Sequence, residues 1–161
     1  MKKLKVHLNF FCQFEYIQII LSYLPNIRTL RLKLLRGNDD SYLNIHQFLF
    51  NYINKIHLTL CDTSFDVIIS FLQTMPNISI IIIDGNIWGT NIIAYFKTDK
   101  WDQILSVLNI NIKRKKINVD LDLRQDYSNL STNNIGFINY DQFEKLGLQI
   151  TLYRIKGVIK L

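Results

Sequence analysis

A gap-free internal repeat at an offset of 51 residues, from Phe14 to Phe65, restricts the folds open to this chain more than any other feature. Both copies have the same order: a phenylalanine and an acid, apolar residues at helical spacing, a Pro-Asn pair, and apolar residues at every second position. The copies cover residues 14–32 and 65–83. A unit of this length cannot bury its apolar side chains alone, so neighbouring units must stack on one another.

Each copy predicts a helix, a break and then a strand. In the first copy, Phe14, Ile17 and Leu21 share one helical face. Pro25 ends that helix, because proline has no amide hydrogen and disfavours helical geometry in the residue before it. Apolar residues then alternate with polar ones from Ile27 onwards, which predicts a half-buried strand. The second copy repeats this order.

The rest of the chain adds further strands and helices. Alternating apolar residues predict strands over residues 4–10, 56–60, 117–123 and 148–155. Helices are predicted within residues 43–52, from Thr98 or Asp99 onwards, and over residues 140–146, where Asn139 would cap the helix and Gly147 would end it. Strands that alternate with helices pair in parallel through crossovers. We therefore predict an α/β solenoid with a parallel sheet of about six strands, in a single domain over residues 1–161.

The segment Ile78-x-x-Ile81-x-Ile83-x-x-Asn86-x-Trp88 resembles the leucine-rich-repeat signature, with isoleucine in the leucine positions. The resemblance implies an irregular leucine-rich-repeat-like β–α solenoid, in which the asparagine side chain bonds backbone in the turn after the strand. Three other units match in part and carry other residues at the asparagine position: Leu30 and Leu32 with Leu35, Leu58 and Leu60 with Thr63, and Leu121 and Leu123 with Asp126.

The segment Leu24-Pro25-Asn26-Ile27-x-x-Leu30-x-Leu32 is similar to repeat units of F-box proteins, and residues 100–104 are similar to a tryptophan-containing helix start in such regions. In that family the repeats select a target protein, while a separate F-box recruits a ubiquitin-ligase scaffold. The chain carries no F-box, so the resemblance implies the target-binding repeat region of a ubiquitin ligase substrate receptor, or a fragment of one. A ubiquitin-ligase scaffold is an expected partner only if an F-box lies outside this chain.

The composition is that of a globular intracellular protein. Hydrophobic residues make up 48% of the chain and charged residues 20%, which excludes a disordered chain. The two cysteines, Cys12 and Cys61, suit a reducing compartment. The basic N-terminus leads into alternating residues rather than the apolar run of a signal peptide. We expect a cytoplasmic or nuclear protein that does not bind membranes.

The outward side chains of the strands line the binding surface of a solenoid of this kind. From the first predicted strand to the later ones, the side chains at alternate positions change from basic through apolar to acidic. This order suits a protein partner of opposite polarity. The alternative is that a helix or loop covers Ile80 and Ile82, or that their strand is buried on both faces. The predicted protein-binding residues are Lys5, His7, Thr29, Arg31, Lys33, His57, Thr59, Ile80, Ile82, Asp120 and Asp122.

The sequence contains no recognisable catalytic, cofactor-binding or metal-binding motif. His7 and His57 would lie two strand spacings apart, about 10 Å, whereas a zinc site needs both histidine nitrogens at about 2 Å from the same ion. Asp120 and Asp122 share a strand face, but no nucleophile or second acid group accompanies them. We therefore expect a non-catalytic protein-interaction module that uses no cofactor and no metal.

A basic nucleic-acid-associated module is the alternative function. The net charge is +6, the pI is about 9.3, and residues 113–116 read Lys-Arg-Lys-Lys. Clustered cations of this kind can contact phosphates. The cluster falls between a predicted helix and a predicted strand, where a solvated turn accounts for it, and no aromatic residues interleave with it. We therefore expect a protein partner rather than nucleic acid.

Overall fold

A computed structural model of the chain describes residues 3–7, 19, 23–24, 27–35, 51–88, 92–108, 116–124, 138–151 and 154–160. For residues 3–7, and for residues 35, 88, 108 and 124, only the backbone is described. The predicted helices within residues 14–24 and 43–52 lie largely outside the described residues, as does the end of the strand predicted over residues 4–10.

The chain is an α/β protein whose described strands form one mixed, mostly parallel sheet. The first five strands, β1 to β5, pair in parallel with their neighbours in chain order. The last strand, β7, runs antiparallel between β5 and β6, so the order across the sheet is β1-β2-β3-β4-β5-β7-β6. The seven strands are β1 (Lys3–His7), β2 (Thr29–Leu35), β3 (Lys55–Cys61), β4 (Ile80–Trp88), β5 (Lys116–Arg124), β6 (Leu148–Thr151) and β7 (Arg154–Lys160).

The prediction of one final strand over residues 148–155 is wrong, and the sheet is therefore not wholly parallel. Leu148 and Ile155 are both buried, at 1% and 0% exposure. They are an odd number of positions apart, so a single straight strand would place them on opposite faces of the sheet. The structure buries both by reversing the chain between Thr151 and Arg154, which makes an antiparallel hairpin.

Four helices are described: α1 (Phe65–Gln73), α2 (Ile92–Tyr95), α3 (Thr98–Leu108) and α4 (Tyr140–Lys145). Their buried side chains belong to the same core cluster as the inward side chains of the strands, so the helices lie on one face of the sheet. The predicted ends of α4 are confirmed. The Asn139 side chain accepts a hydrogen bond from the backbone amide of Gln142 at 3.2 Å, and Gly147 follows the helix with φ +81°. None of the described helices has the length and apolar character needed to cross a membrane.

The first four parallel strands recur at nearly constant intervals, and the fifth follows after a longer one. The pairing register joins Lys3, Thr29, Lys55, Ile80 and Lys116, so the successive steps are 26, 26, 25 and 36 residues. The 51-residue offset seen in the sequence is therefore two steps, from Thr29 to Ile80. The unit between the two sequence copies is as long as its neighbours, although its apolar pattern is weaker.

Equivalent residues hold neighbouring units together at the amino-terminal ends of the strands. Ile27, Ile53 and Ile78 occupy the same position in three units and are all buried. Beside them, the Asn54 amide donates to the carbonyl of Arg28 at 3.0 Å. The same bond recurs in the next unit, from Ser79 to Asn54 at 2.8 Å. One position further along, the amides of Lys55, Ile80 and Lys116 donate to the same three carbonyls, those of Arg28, Asn54 and Ser79, at 3.0 to 3.2 Å. The backbone groups that precede each strand are thus satisfied by the unit before.

The alternation of buried and less buried residues along each strand separates the two faces of the sheet. In β3, Ile56, Leu58 and Leu60 are buried, while the residues between them are half-buried. Beneath the carboxyl ends of the strands, three rings pack edge to face: Phe65 lies 4.9 Å from Tyr95 and 5.2 Å from Trp101, measured between ring centroids. This packing leaves the alternate side chains on the opposite face as the candidate functional surface.

Candidate functional site

We define the outward face as the side chains of the sheet that point away from the helices and the core. Every one of them in β2 to β5 and β7 whose burial is described is half-buried or exposed. Within the described part of the chain, therefore, no helix seals this face. Its members are Thr29, Arg31 and Lys33 in β2; Lys55, His57, Thr59 and Cys61 in β3; Ile80, Ile82, Asp84 and Asn86 in β4; Lys116, Asn118, Asp120 and Asp122 in β5; and Arg154, Lys156, Val158 and Lys160 in β7.

The structure brings the predicted binding residues of β2 to β5 onto this one face. For Lys5 and His7, only the backbone register is described, and it places them beside Arg31 and Lys33. The side chains of Lys5 and His7 lie outside the described residues. The predicted binding residues with described side chains are Thr29, Arg31, Lys33, His57, Thr59, Ile80, Ile82, Asp120 and Asp122.

The two isoleucines in the middle of the outward face are not buried. Ile80 is 38% exposed, and Ile82 is half-buried between its neighbours His57 and Asn118. A strand buried on both faces would hide both side chains, so that alternative does not describe β4. Within the described residues, Ile80 is an apolar group open to contact by another molecule.

The predicted basic, apolar and acidic side chains lie on β2, β4 and β5, in that order across the sheet, and charge also changes along β4 and β5. At the amino-terminal end, Lys55 and Lys116 flank Ile80, and Lys160 pairs beside Lys116. At the carboxyl-terminal end, Asp84 and Asp120 are paired directly, and Asp122 pairs beside Asn86. In β5 alone, Asp122 lies six positions beyond Lys116, which corresponds to about 20 Å of extended strand. We call these two groups the basic row (Lys55, Lys116 and Lys160) and the acidic end (Asp84, Asp120 and Asp122).

His57 contacts an acidic side chain of the neighbouring strand β4. Its Nε2 atom lies 2.5 Å from Oδ2 of Asp84, and its side chain is only 19% exposed. The two residues are diagonal neighbours, because His57 pairs with Ile82 and Asp84 is two positions further along β4. The sequence did not predict Asp84 as a site residue, because its contact with His57 depends on the register between β3 and β4.

Arg154 is a second functional residue that the sequence interpretation missed. It lies in β7 and holds Asp120 through two parallel hydrogen bonds, from Nε at 2.7 Å and from Nη2 at 2.8 Å. Paired like charges on adjacent strands destabilise a sheet. His57 on Asp84 and Arg154 on Asp120 offset this repulsion from opposite sides. Arg154 could not be placed here from the sequence because the predicted last strand ran straight through the turn.

The acidic end surrounds an open cavity of about 580 Å³. Asp84 turns one carboxylate oxygen to His57, while its other oxygen, Oδ1, is buried without a hydrogen-bond partner among the described residues. Gly85 has φ +127°, and a Cβ atom there would overlap the backbone carbonyl of Leu60, so β4 passes close to β3 beside the cavity. The lining residues are Asp84, Gly85, Asn86, Asp120, Asp122, Thr151 and Arg154.

Asn86 does not have the role expected of the repeat asparagine. Asn86 lies within β4 on the outward face, where it lines the cavity, and not in a turn after the strand. The buried hydroxyl of Thr63 donates to the backbone carbonyl of Leu34 in the preceding unit, at 3.3 Å. The sequence comparison placed Thr63 at an asparagine position, whereas the register between β3 and β4 pairs Asn86 with Cys61. Asp126 lies outside the described residues, and only the backbone of Leu35 is described.

A buried tyrosine, Tyr95, packs in the core below the turn that contains Thr63. The Tyr95 hydroxyl donates to the backbone carbonyl of Thr63 at 2.9 Å, and the side chain is fully buried. Burial raises the pKa of Tyr95 well above its usual value, and the nearby charge of Asp62 raises it further. This tyrosine remains protonated and supports the turn, and it does not face the cavity residues.

The other chemical candidates contribute no assembled site in the described residues. No group of three or more histidine, cysteine or acidic side chains is arranged to hold a metal ion in the described part. Cys61 is a half-buried free thiol on the outward face. Residues 113–115 of the basic cluster lie outside the described residues, and Lys116 is exposed at the start of β5.

No protein-family model matches the chain, and neither a curated protein nor a solved structure matches it.

Proposed function

We propose that the chain is a non-catalytic protein-interaction module, built as an irregular leucine-rich-repeat-like β–α solenoid, that binds a protein partner through the outward face. The observation that carries this proposal is the open outward face of a mostly parallel sheet. In doubly wound α/β enzymes, helices cover both faces of such a sheet. Repeat proteins leave one face open and use it as an extended binding surface.

The spacing and packing of the units support the solenoid. Steps of 26, 26 and 25 residues, from Lys3 through Thr29 and Lys55 to Ile80, fall within the length of 20 to 29 residues typical of leucine-rich repeats. The buried positions Ile27, Ile53 and Ile78 begin three successive units of the same apolar pattern. The buried bond from Thr63 to the carbonyl of Leu34 joins neighbouring units, which supports units that stack on one another.

The chemistry of the outward face favours a protein partner. Protein interfaces combine an apolar centre with a polar rim, and arginine is enriched in them. Ile80 and Ile82 supply the apolar centre, and charged or polar residues surround them on both neighbouring strands. Arg31 and Lys33 are exposed on β2 and have no ion pair among the described residues, so they are free to contact a partner.

The resemblance to F-box repeat regions extends the proposal. The outward face would then select the target protein of an F-box-like ubiquitin ligase receptor. Recruitment of a ubiquitin-ligase scaffold would require an F-box outside residues 1–161.

Affinity capture with matched variants tests the proposal. The face variant carries Arg31→Ala, Lys33→Ala and Ile80→Ala, all exposed positions. The control variant carries Gln73→Ala, Asp102→Ala and Gln103→Ala, which are exposed on α1 and α3. We expect a protein recovered with the wild type and the control variant to be reduced about tenfold with the face variant, since a few central residues carry most binding energy.

Two outcomes would contradict the proposal. Equal recovery with the face variant and the wild type would show that the partner binds elsewhere. Recovery of nucleic acid alone, released as the salt concentration rises, would favour the basic nucleic-acid-associated module instead. Recovery of a ubiquitin-ligase scaffold together with the partner would support the F-box extension.

A further inference from the structure

The lysines of the basic row lie at one level of the sheet, and no acid lies at that level. For Lys3 only the backbone is described, whereas Lys116 and Lys160 are exposed and Lys55 is half-buried. Ile80, the exposed isoleucine of the outward face, lies at the same level. The residues that the pairing register joins there, in order across the sheet, are Lys3, Thr29, Lys55, Ile80, Lys116 and Lys160.

The surroundings of this level also lack acids. Two positions further along the parallel strands, the register joins Lys5, Arg31, His57, Ile82, Asn118 and Val158, none of which is an acid. The sequence around the row is equally free of acids. No aspartate or glutamate occurs in residues 16–38, 41–61, 67–83, 103–119 and 145–161.

The positive charge of the basic row is not neutralised by the described residues. Their ion pairs lie elsewhere, between His57 and Asp84, Lys100 and Asp66, and Arg154 and Asp120. The first acids of β4 and β5 on the outward face are four positions beyond the row, about 13 Å away. A surface with this charge attracts an acidic partner and repels a basic one.

The spacing of the row fits a helix better than an extended segment. Lys55 and Lys116 are two strands apart, about 9.6 Å, and Ile80 lies midway between them. An α-helix rises about 1.5 Å per residue, so residues seven positions apart share one side at about 10.5 Å, with a residue of the same side about 5 Å along. An extended segment returns to the same side about every 6.6 Å, which matches neither distance.

We infer that the partner contacts the outward face with an acidic amphipathic helix that lies across the strands, with one acid against Lys55, a second against Lys116, and an apolar residue between them on Ile80. The inference rests on the proposed function, because it names the partner chemistry of the same face. Lys160 is one strand beyond Lys116 and would take a third acid about three or four positions later. Ile82 extends the apolar contact along β4.

The apolar centre of the row favours a protein helix over nucleic acid. Proteins that bind single strands stack the bases on aromatic side chains. Among the described residues of the outward face there is no phenylalanine, tyrosine or tryptophan. Phosphate groups are contacted by cationic and hydrogen-bonding groups. An exposed isoleucine between two lysines is instead complementary to an apolar side chain flanked by acids.

The test is selection from a displayed library of peptides of about twenty residues, long enough to form a helix. The background is alanine-rich, and every position can also be acidic, basic or apolar. The full chain is the bait. The row variant carries Lys55→Gln and Lys116→Gln, and its matched control carries Lys97→Gln and Lys145→Gln at exposed positions outside the sheet. The reversal variant carries Lys116→Glu. Circular dichroism and thermal melting check that each variant is folded.

We expect the wild type and the matched control to enrich peptides with two acids about seven positions apart and an apolar residue three or four positions after the first. A selected peptide should bind the row variant roughly tenfold more weakly, as the loss of two surface ion pairs predicts. The reversal variant should enrich lysine or arginine in place of one of the two acids. A proline in the middle of the peptide should abolish binding, because it breaks the helix.

Three results would overturn the inference. Enriched acids two positions apart, or binding that survives the central proline, would show an extended partner. Equal binding to the row variant and the wild type would show that the lysines make no contact. A DNA duplex that binds the wild type more tightly than every selected peptide at about 0.15 M salt, and loses binding to the row variant, would assign the row to nucleic acid.

The selection also separates failure of this inference from failure of the proposed function. Peptides that lack the pattern of acids but lose binding to the face variant would refute the inference and leave the interaction face standing. Peptides that bind the face variant and the row variant as well as the wild type would refute both. A selection that enriches no peptide over the uncoated support would also count against both.

Discussion

The hydroxyl of Thr63 donates a buried hydrogen bond to the backbone carbonyl of Leu34, a residue 29 positions earlier in the chain. The bond joins the turn after β3 to the end of β2. Tyr95 donates to the carbonyl of the same threonine from the helix side of the sheet. Thr63 alone thus connects two neighbouring units to each other and to the aromatic core.

Replacing Thr63 with valine should lower the free energy of unfolding by about 1–3 kcal/mol. Valine keeps the shape of threonine but removes the donor, which leaves the buried carbonyl of Leu34 without this partner. Urea denaturation measures the change. Thr151→Val is the control, since that hydroxyl is exposed and makes a longer bond of 3.4 Å to the carbonyl of Arg154. Equal losses in the two variants would show that the bond to Leu34 contributes little.

Leu30→Ala and Arg31→Ala test the assignment of the two faces on β2. Leu30 is fully buried, so its truncation should cost about 2–5 kcal/mol of unfolding free energy. Arg31 is the next residue and is exposed, so its loss should change stability by less than about 0.5 kcal/mol. Thermal and urea unfolding of both variants give the comparison. Similar losses at the two positions would contradict the orientation of this strand.

Gly85→Ala should destabilise the protein by more than about 2 kcal/mol. The glycine has φ +127°, a backbone angle that residues with a side chain rarely adopt. The added Cβ atom would also overlap the carbonyl of Leu60. Asn86→Ala, the next position on the same strand, should cost less than about 1 kcal/mol because it only trims a side chain that lines the cavity. Urea unfolding of both variants measures the difference. Alanine tolerated equally at both positions would refute the close approach of β3 and β4.

Tyr95 should make the stability of the protein fall at alkaline pH. The pKa of Tyr95 in the folded protein is raised above its unfolded value of about 10, chiefly by burial. Its contribution is therefore complete below pH 10 and is lost as the pH rises from there towards the folded pKa, because only the unfolded state releases the proton. Tyr95→Phe removes this contribution along with the bond to Thr63, which should cost about 1–2 kcal/mol at pH 8.

Urea unfolding from pH 8 to pH 11 separates these effects. The difference in stability between the wild type and Tyr95→Phe should narrow as the pH rises above 10. Tyr140→Phe is the control, because Tyr140 is 58% exposed and its replacement leaves the buried Tyr95 in place. A constant difference between wild type and Tyr95→Phe would mean that Tyr95 ionises as readily in the folded protein as in the unfolded one.

The separation of faces could be predicted from the sequence because side chains alternate along a strand. The alternation in β2, β3, β4 and β5 assigned Leu30, Ile81 and Leu121 to the core and the residues between them to the outward face, as the structure shows. Proline and glycine positions likewise predicted where helices end. These signals are local, so they do not depend on how the strands align with one another.

The neighbours on the outward face could not be predicted, because they depend on register. The sequence interpretation aligned Leu58 with Ile81, whereas the structure pairs Ile81 with Ile56. A slip of one residue would exchange the faces and would be visible in the pattern, but a slip of two residues preserves them. The contact of His57 with Asp84 depends on this register, and so it emerged only from the structure.

The hairpin at the end of the described chain carried a signal that was overlooked. Ile150 and Ile155 are five positions apart, so an uninterrupted strand would place them on opposite faces of the sheet. In the structure they pair across the turn, and Ile155 is fully buried. The turn between Thr151 and Arg154 lacks the glycine and asparagine residues that usually mark a tight hairpin. Parity was therefore the better guide here, and it would have indicated that the chain reverses before Arg154.

The same backbone hydrogen bond joins successive units, from Asn54 to Arg28 and from Ser79 to Asn54. Because each unit offers the same donor and the same acceptor, a further unit could be inserted between two existing ones. A duplicate of residues 55–79 inserted after residue 79 would present the same donor and acceptor to its neighbours. The sheet would widen by one strand, about 4.8 Å, and would carry a second copy of the His57 strand. Growth of this kind is confined to the parallel part, since β7 runs in the opposite direction and offers the wrong hydrogen-bonding edge.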